Sequence, residues 1–261
     1  MSGADAISSV RFAYIMTSSL LIGCAGWNIS RKNAAVFPTP GTHLQRYAAV
    51  FQAVEVNSSF YRPHRPSTYA RWHDLVPDDF RFSIKMPRTI THQLRLQHGA
   101  APLNQFLSEI SHLRAKLGCV LVQLPPSLDY DQGVATRFFR ALRGRVSAAV
   151  VCEPRHGSWF EPAASALLSA LDIARVIADP PIGNDTDDYA QVNATRMYIR
   201  LHGSPLLYHS SYTDAYLNRL AQTLRRYVAT GGQVWCIFDN TASGAAVFNA
   251  VSLQSRVCAA L

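Results

Sequence analysis

The stretch VVCEPRHGSW, residues 150–159, joins an apolar segment to an acid, a guanidinium, an imidazole and an indole within a few positions. Its apolar part is too short for a helix and is typical of a buried strand. Such a dense group of polar and aromatic side chains is rarely needed for folding. In barrels of parallel strands, reactive groups gather at the carboxyl ends of the strands. The stretch therefore indicates both a strand and the edge of a site.

Seven more apolar runs share this pattern, and most of them are bounded by Gly or Pro. Together the eight predicted strands are residues 20–25, 53–57, 80–86, 118–124, 148–153, 174–179, 196–202 and 233–239. Segments with helical periodicity lie between most of them, at 43–52, 67–76, 102–118, 132–144, 161–171, 214–232 and 243–261. Gly118, Gly144 and Gly231 stand where glycines commonly end helices.

Eight strand and helix alternations predict an α/β fold of one domain, a (β/α)₈ TIM-like barrel. Near-continuous apolar strands favour parallel pairing with helices on the outside. An open doubly wound sheet is the structural alternative, although no glycine-rich nucleotide loop follows any strand. The link between the sixth and seventh strands, residues 180–195, is rich in turn residues and too short for a regular helix, so we expect an irregular connection there.

The ends of the chain set the domain limits. Residues 1–19 are expected to form an N-terminal extension, disordered or loosely attached, and residues 20–261 the barrel domain. A secretory signal ending in Leu-Ile-Gly-Cys at Cys24 is the alternative, but its removal would delete the first strand. The five cysteines include no CxxC pair, which favours free thiols and a cytoplasmic location. No run reaches the ~20 apolar residues of a membrane span.

The charge balance indicates what kind of partner the protein binds. Only 16% of residues are charged, yet the net charge is +8, so the surface charge is sparse and biased positive. Such a bias favours anionic partners without specificity. A small anionic ligand is the first expectation, nucleic acid is the alternative, and no membrane partner is expected.

Seven of the eight strands end in ionisable or amide side chains, which a barrel would gather at one face. Carboxylates, imidazoles and an amine can move protons, and Lys85 could instead form a Schiff base or anchor an anion. Guanidinium forks, amides and aromatic rings can bind a substrate. The candidate catalytic residues are Glu55, Lys85, Glu153, His156 and His202. The candidate substrate-binding residues are Asn57, His92, Gln123, Arg155, Trp159, Arg200, Asp239 and Asn240.

A divalent metal is a competing interpretation of the same residues, although no cofactor is required by the sequence. Carboxylates and imidazoles from separate strands hold metals in many barrel enzymes. The candidate metal ligands are Glu55, Glu153, Asp179, His202 and Asp239. No HxH or HExxH spacing is present, and the nearby lysine and arginines would repel a cation.

Eight motifs taken together resemble the YecE-like family, known as domain of unknown function 72. They are IGCAGW (22–27), VEVNSSFYRPH (54–64), FRFSIKMPRTITH (80–92), LVQLPPSLDYD (121–131), CEPRHGSWF (152–160), ADPP (178–181), YIRLHG (198–203) and FDNTASGAAVFNA (238–250). The resemblance implies a TIM-like barrel and a family without an established reaction. It also implies that the candidates above, together with Thr91, belong to the family's site, with the exception of Asp179.

The residues favour an enzyme of hydrolase or lyase type that acts on a small phosphate or carboxylate at the carboxyl face of the barrel. A nucleic-acid-binding protein, including a metal-dependent phosphodiesterase, is one alternative. A ligand sensor without catalysis is another.

Overall fold

The computed structural model describes residues 19–181 and 195–259. Within them the sheet contains nine strands, and every recorded pairing is parallel. The strands are β1 (Leu20–Ala25), β2 (Ala53–Val56), β3 (Arg81–Lys85), β4 (Leu117–Gln123), β5 (Ala149–Glu153), β6 (Ile173–Arg175), β7 (Ile177–Asp179), β8 (Arg196–Leu201) and β9 (Gln233–Phe238). The predicted α/β barrel is confirmed.

The sixth predicted strand closes the barrel in two pieces. The spatial order of the sheet runs β6-β5-β4-β3-β2-β1-β9-β8-β7, so its two ends are consecutive in the chain. β6 pairs with β5, β7 pairs with β8, and only Val176 separates them. The Val176 amide still donates to Cys152, at 2.8 Å. The prediction of one continuous sixth strand is therefore wrong, because the chain changes partners there.

Helices and shorter helical turns follow the strands on the outside. The helices are His43–Ala48, Ser58–Tyr61, Pro66–Leu75, Ala100–Ile110, Gln132–Arg143, Pro162–Ala170, Asp214–Ala229 and Ala245–Cys258. The short turns are Arg31–Val36, Thr89–Gln93, Ser111–Lys116 and Gly157–Phe160. In Gln132–Arg143, Asp131 caps the first turn by accepting from the Val134 amide at 2.8 Å, and Phe138, Phe139 and Leu142 are buried.

Two predictions around the fourth strand are corrected. The helix expected over 102–118 ends at Ile110 and continues as a tighter turn to Lys116, where Arg114 adopts a φ of 49°. Gly118 is not a helix-terminal glycine but lies inside β4. A Cβ atom there would stand 2.6 Å from the Trp235 ring, so glycine makes room for that ring in the barrel.

Two apolar layers hold the barrel together. The outward faces of the strands pack against the helices in the larger core. The barrel interior is filled by a smaller group that includes Leu21, Ala53, Cys119, Val151 and Trp235. Alternate residues of a strand face the same side of the sheet. Glu55 and Glu153, two positions after Ala53 and Val151, therefore also face the barrel interior, nearer its carboxyl end.

Two regional predictions fall outside the described residues. The proposed N-terminal extension, apart from its last residue, lies there, and so does most of the irregular connection at 180–195. Within the described ranges, no helix combines the length and apolar character needed to cross a membrane.

Candidate functional site

Arg200, in β8, is the centre of the polar cluster at the carboxyl end of the barrel. Its side chain is 1% exposed and contacts three carboxylates. Nε and Nη2 donate to Glu55 at 2.7–3.2 Å, Nη1 donates to Glu153 at 2.7 Å, and Nη2 also donates to Asp239 at 2.9 Å. The guanidinium thus ties together β2, β5 and the end of β9.

Strand register explains why these carboxylates meet. Glu55 pairs in register with Ala25 of β1 and Ser83 of β3, and Glu153 pairs with Gln123 of β4. The ladder continues beyond β9, where the Asp239 amide donates to the Leu201 carbonyl at 2.8 Å. Residues distant in sequence therefore end in one layer.

His202 links two of the same carboxylates. Its Nδ1 lies 3.0 Å from Asp239, and its Nε2 lies 3.2 Å from Glu153 and 3.0 Å from Nη2 of Arg155. Arg155 also donates to Glu153, and 22% of its side chain is exposed. Arg155 is therefore the arginine of the cluster that reaches solvent.

The pairing sets the protonation of the cluster. Burial opposes ionisation of Glu153 and Asp239, but Arg200 and the His202 hydrogen bonds outweigh it and lower the pKa of both carboxyl groups. Burial alone would lower the pKa of His202, yet hydrogen bonds to Asp239 and Glu153 raise it above 6.5. A protonated His202 is thus favoured between two ionised acids.

Tyr198 and Ser83 complete the buried part of the cluster, and neither is among the sequence candidates. The Tyr198 hydroxyl lies 2.8 Å from Glu55 and 2.8 Å from Ser83, and its ring stacks on Trp235. Tyr198 stands two positions before Arg200 on the same strand face. The alternation that identified Arg200 and His202 could therefore have found it.

Lys85 lies at the mouth of the cluster, and its charge has an aromatic rather than an acidic neighbour within the described residues. Among the described residues, no carboxylate lies within salt-bridge distance of its Nζ, which instead stands 4.3 Å from the centre of the Phe60 ring. Burial, with help from Arg200, lowers the pKa of this amine to about 8. With a pKa of about 8, part of this amine is unprotonated close to neutral pH.

His92 and Tyr208 also border this mouth. The His92 ring is 5.0 Å from that of Phe60 and accepts or donates a 2.8 Å hydrogen bond with Thr91. Burial, followed by the Lys85 charge, lowers the pKa of His92. The Tyr208 ring stands 5.8 Å from His202, and burial and Asp239 raise its pKa. Tyr208 was absent from the sequence candidates because it lies in a loop after β8.

Several candidates lie apart from the cluster. His156 is bound to Ser158 at 2.9 Å and to Asp129 at 3.3 Å. Trp159 is buried and donates to the Leu128 carbonyl, so its ring cannot stack on a ligand at the mouth. Asn240 donates to Ser210 and Asn249, both at 2.9 Å.

Two further candidates stand at the carboxyl ends of neighbouring strands. Gln123 ends β4 opposite Glu153 and is partly exposed. Asn57 follows β2 and borders a cavity shared with Trp27 and His43, and its buried Oδ1 has no hydrogen-bond partner among the described residues. Neither residue has a recorded contact with Arg200 or Lys85, so their roles stay predictions.

The candidate metal ligands do not form a metal site. The guanidinium of Arg200 occupies the space between Glu55, Glu153 and Asp239, which a cation would need. Asp179 turns away to the Tyr212 hydroxyl, at 2.5 Å. No group of three or more His, Cys, Asp and Glu side chains in the described ranges could hold a metal ion. The carboxylates are matched to an arginine instead.

The fold and the cluster define a class: a parallel α/β barrel with an arginine-centred polar group at the carboxyl ends of its strands. Residues 21–260 match the family model "Protein of unknown function DUF72". The chain belongs to this family, as the motifs in the sequence suggested.

Two curated relatives and two solved structures agree with this assignment. The chain is 35% identical over 120 residues to UPF0759 protein YecE of Escherichia coli K12, which is 46% of this chain and 43% of YecE. It is 29% identical over 158 residues to UPF0759 protein YunF of Bacillus subtilis, which is 55% of this chain and 53% of YunF. The matched regions thus span about half of each relative. A DUF72 protein of Thermotoga maritima has a TM-score of 0.75 at 22% identity (90% and 98% covered). One of Enterococcus faecalis has 0.75 at 20% (91% and 95%).

Proposed function

We propose that this protein is an enzyme of hydrolase or lyase type that acts on a small carboxylate or phosphate at the mouth of the barrel. The observation that carries the proposal is the amine of Lys85, which pairs with no acid of the described residues although the three carboxylates that bind Arg200 are nearby. A buried cation without a partner is unfavourable unless a ligand or water completes it.

The charges of the cluster support an anionic substrate. Glu55, Glu153 and Asp239 are balanced by Arg200, Arg155 and a protonated His202. The ammonium of Lys85 is then the positive charge in excess. A substrate with one negative group would neutralise that excess.

Each accessible group has a distinct role in this proposal. Arg155, partly exposed and fixed by Glu153, binds the substrate anion. Lys85 faces the substrate anion as an ammonium and gives its proton to the leaving group. The neutral amine then takes a proton from the substrate or from the attacking water. Glu55 and Glu153 act through Arg200, because they hold the guanidinium in the barrel rather than facing the mouth.

The test is turnover of a defined mixture of phosphorylated and carboxylated metabolites, followed by mass spectrometry. Wild-type protein should deplete at least one compound, and K85M should lose about 10²- to 10⁴-fold in rate, the usual contribution of a general acid or base. K116M is the control, because Lys116 is also buried but binds the His73 and Val76 carbonyls. The proposal would be contradicted if K85M depleted the same compound at the wild-type rate. It would also be contradicted if the wild-type protein depleted no compound.

The alternatives give different results with the same protein. A nucleic-acid-binding protein would bind duplex or single-stranded DNA with an affinity that falls steeply as salt rises. A sensor would bind phosphate or oxalate without turnover. We also propose a cytoplasmic location, which the free thiols of Cys24, Cys119, Cys152 and Cys236 support.

A further inference from the structure

A polar cavity of about 450 Å³ lies at the rim of the barrel where the carboxyl ends of the strands meet. It is bordered by the loop after β1 and by the start of the helix Ala245–Cys258, and its lining includes Ser30, Lys32 and Asn33. None of the side chains in the arginine cluster lines this cavity. The lining contains a lysine and no acidic residue, so its charge favours an anion.

The helix that begins at this cavity has no side-chain cap. Gly244 occupies the cap position with a φ of 78°, and the first turn of this 14-residue helix contains no acidic residue. The Ala246 amide already donates to the Asn240 carbonyl at 3.2 Å. The other amides of the first turn, together with the helix dipole, attract an anion.

Asn33 provides an independent sign that a ligand belongs here. Its residue is 3% exposed, yet its Oδ1 has no hydrogen-bond partner within the part of the chain that the structure describes. The buried Oγ of Ser30 also has no hydrogen-bond partner among the described residues. It would lie 3.9 Å from a Cβ atom placed on Gly244, which shows that it is close to the start of the helix. A buried acceptor left without a donor is unfavourable. Because Asn33 lines the cavity, a donor bound there is placed to satisfy it.

Lys32 is positioned to provide the charge. Its Nζ donates to the Ser243 carbonyl at 3.2 Å, directly before the cap residue. No carboxylate of the described residues lies within salt-bridge distance of it. Lys32 is exposed, so its solvated cation stands at the start of the helix and can turn toward an anion in the cavity.

We propose that this cavity binds a small phosphate monoester that also carries a hydroxyl group. The phosphate lies at the helix start against Lys32, and the hydroxyl donates to Oδ1 of Asn33. An anion alone would satisfy the helix and the lysine but would leave Asn33 without a donor. The inference does not depend on the function proposed above, because it uses none of the cluster residues.

Isothermal titration calorimetry with three probes tests this site: inorganic phosphate, glycerol 3-phosphate and propyl phosphate, which lacks the hydroxyls. Glycerol 3-phosphate should bind about tenfold more tightly than propyl phosphate. K32M should weaken both esters about tenfold. N33A should weaken glycerol 3-phosphate and leave propyl phosphate within about twofold.

R31M is the matched control, since Arg31 is exposed in the same loop but does not line the cavity. It should change each affinity by less than about twofold. The proposal would be overturned if R31M and K32M weakened binding equally. It would also be overturned if inorganic phosphate bound as tightly as glycerol 3-phosphate, or if neither ester bound at millimolar concentration. K85M should retain ester binding here even where turnover is lost, which separates this site from the proposed active site.

Discussion

Arg200 and Lys85 lie in the same polar end of the barrel, yet their surroundings differ. Arg200 is fully buried and donates to three carboxylates. Lys85 is nearly as buried, but its Nζ faces an aromatic ring and no acid within salt-bridge distance among the described residues. The Arg200 charge therefore stabilises the barrel, whereas we propose that the Lys85 charge binds a ligand.

Removing the paired charge should have the largest effect on stability. R200M leaves three buried carboxylates without their cation, so we expect a loss of roughly 3–5 kcal/mol in the free energy of unfolding. Urea denaturation measures it. R256M is the control, because Arg256 pairs with the exposed Asp214 and should cost about 1 kcal/mol or less. A loss in R200M no larger than in R256M would remove the distinction between the two regions.

Removing the unpaired charge should act in the opposite direction. Below pH 8 Lys85 is protonated in both the folded and the unfolded state, and burial of its charge destabilises the fold. Between pH 8 and 10.5 only the unfolded state keeps the proton, so the stability of the wild type rises with pH. K85M should therefore be more stable than wild type at pH 7, by up to about 3 kcal/mol. The difference should shrink toward pH 10.5. Denaturation at pH 7 and pH 10 checks this.

K116M sharpens that result, because it removes a buried lysine that is hydrogen-bonded. It leaves the His73 and Val76 carbonyls without their donor and should destabilise at both pH values by about 1–3 kcal/mol. Destabilisation of K85M at pH 7 to the same degree would show that Lys85 too is structural.

Y198F tests how much the Tyr198 hydroxyl stabilises Glu55, one of the carboxylates that bind Arg200. It removes a hydroxyl that contacts both Glu55 and Ser83, and we expect a loss of about 1–2 kcal/mol by denaturation. Y216F, at a partly buried tyrosine stacked on Tyr212 outside the cluster, serves as the comparison. Equal stability of Y198F and wild type would show that Glu55 needs only Arg200.

The smallest effect should come from His202. Because its pKa is raised in the fold, its contribution is complete below pH 6.5, the unfolded value, and is lost as pH rises through the folded pKa. The stability of H202Q should therefore lack this decline with pH. Thermal denaturation from pH 6 to pH 9 compares the two proteins. An identical pH dependence in both would contradict the raised pKa.

Strand positions and the gathering of polar residues were predictable, because both follow from local alternation. Glu55, Arg200 and Asp239 were all selected in this way. The division of strand six at Val176 was not predictable, since each half pairs with a different distant strand. Gly118 was misread for a similar reason: its neighbour Trp235 is far away in sequence.

The roles of the candidates were harder to predict than their positions. The sequence placed Arg200 and Lys85 together as substrate-facing cations, but only the three-dimensional arrangement shows which one the carboxylates bind. His156 and Trp159 follow a site strand closely in sequence, yet the turn at Gly157–Phe160 directs them to Ser158 and Leu128.

The most direct test is the pKa of Lys85, because the chain contains only three lysines, Lys32, Lys85 and Lys116. Selective ¹³Cε labelling of lysine gives three NMR signals, and the one missing in K85M belongs to Lys85. Titration should give this signal a pKa near 8, as expected for a buried amine without an acidic partner. A pKa at or above 10.5 would mean that an acid pairs with Lys85 and would contradict the account.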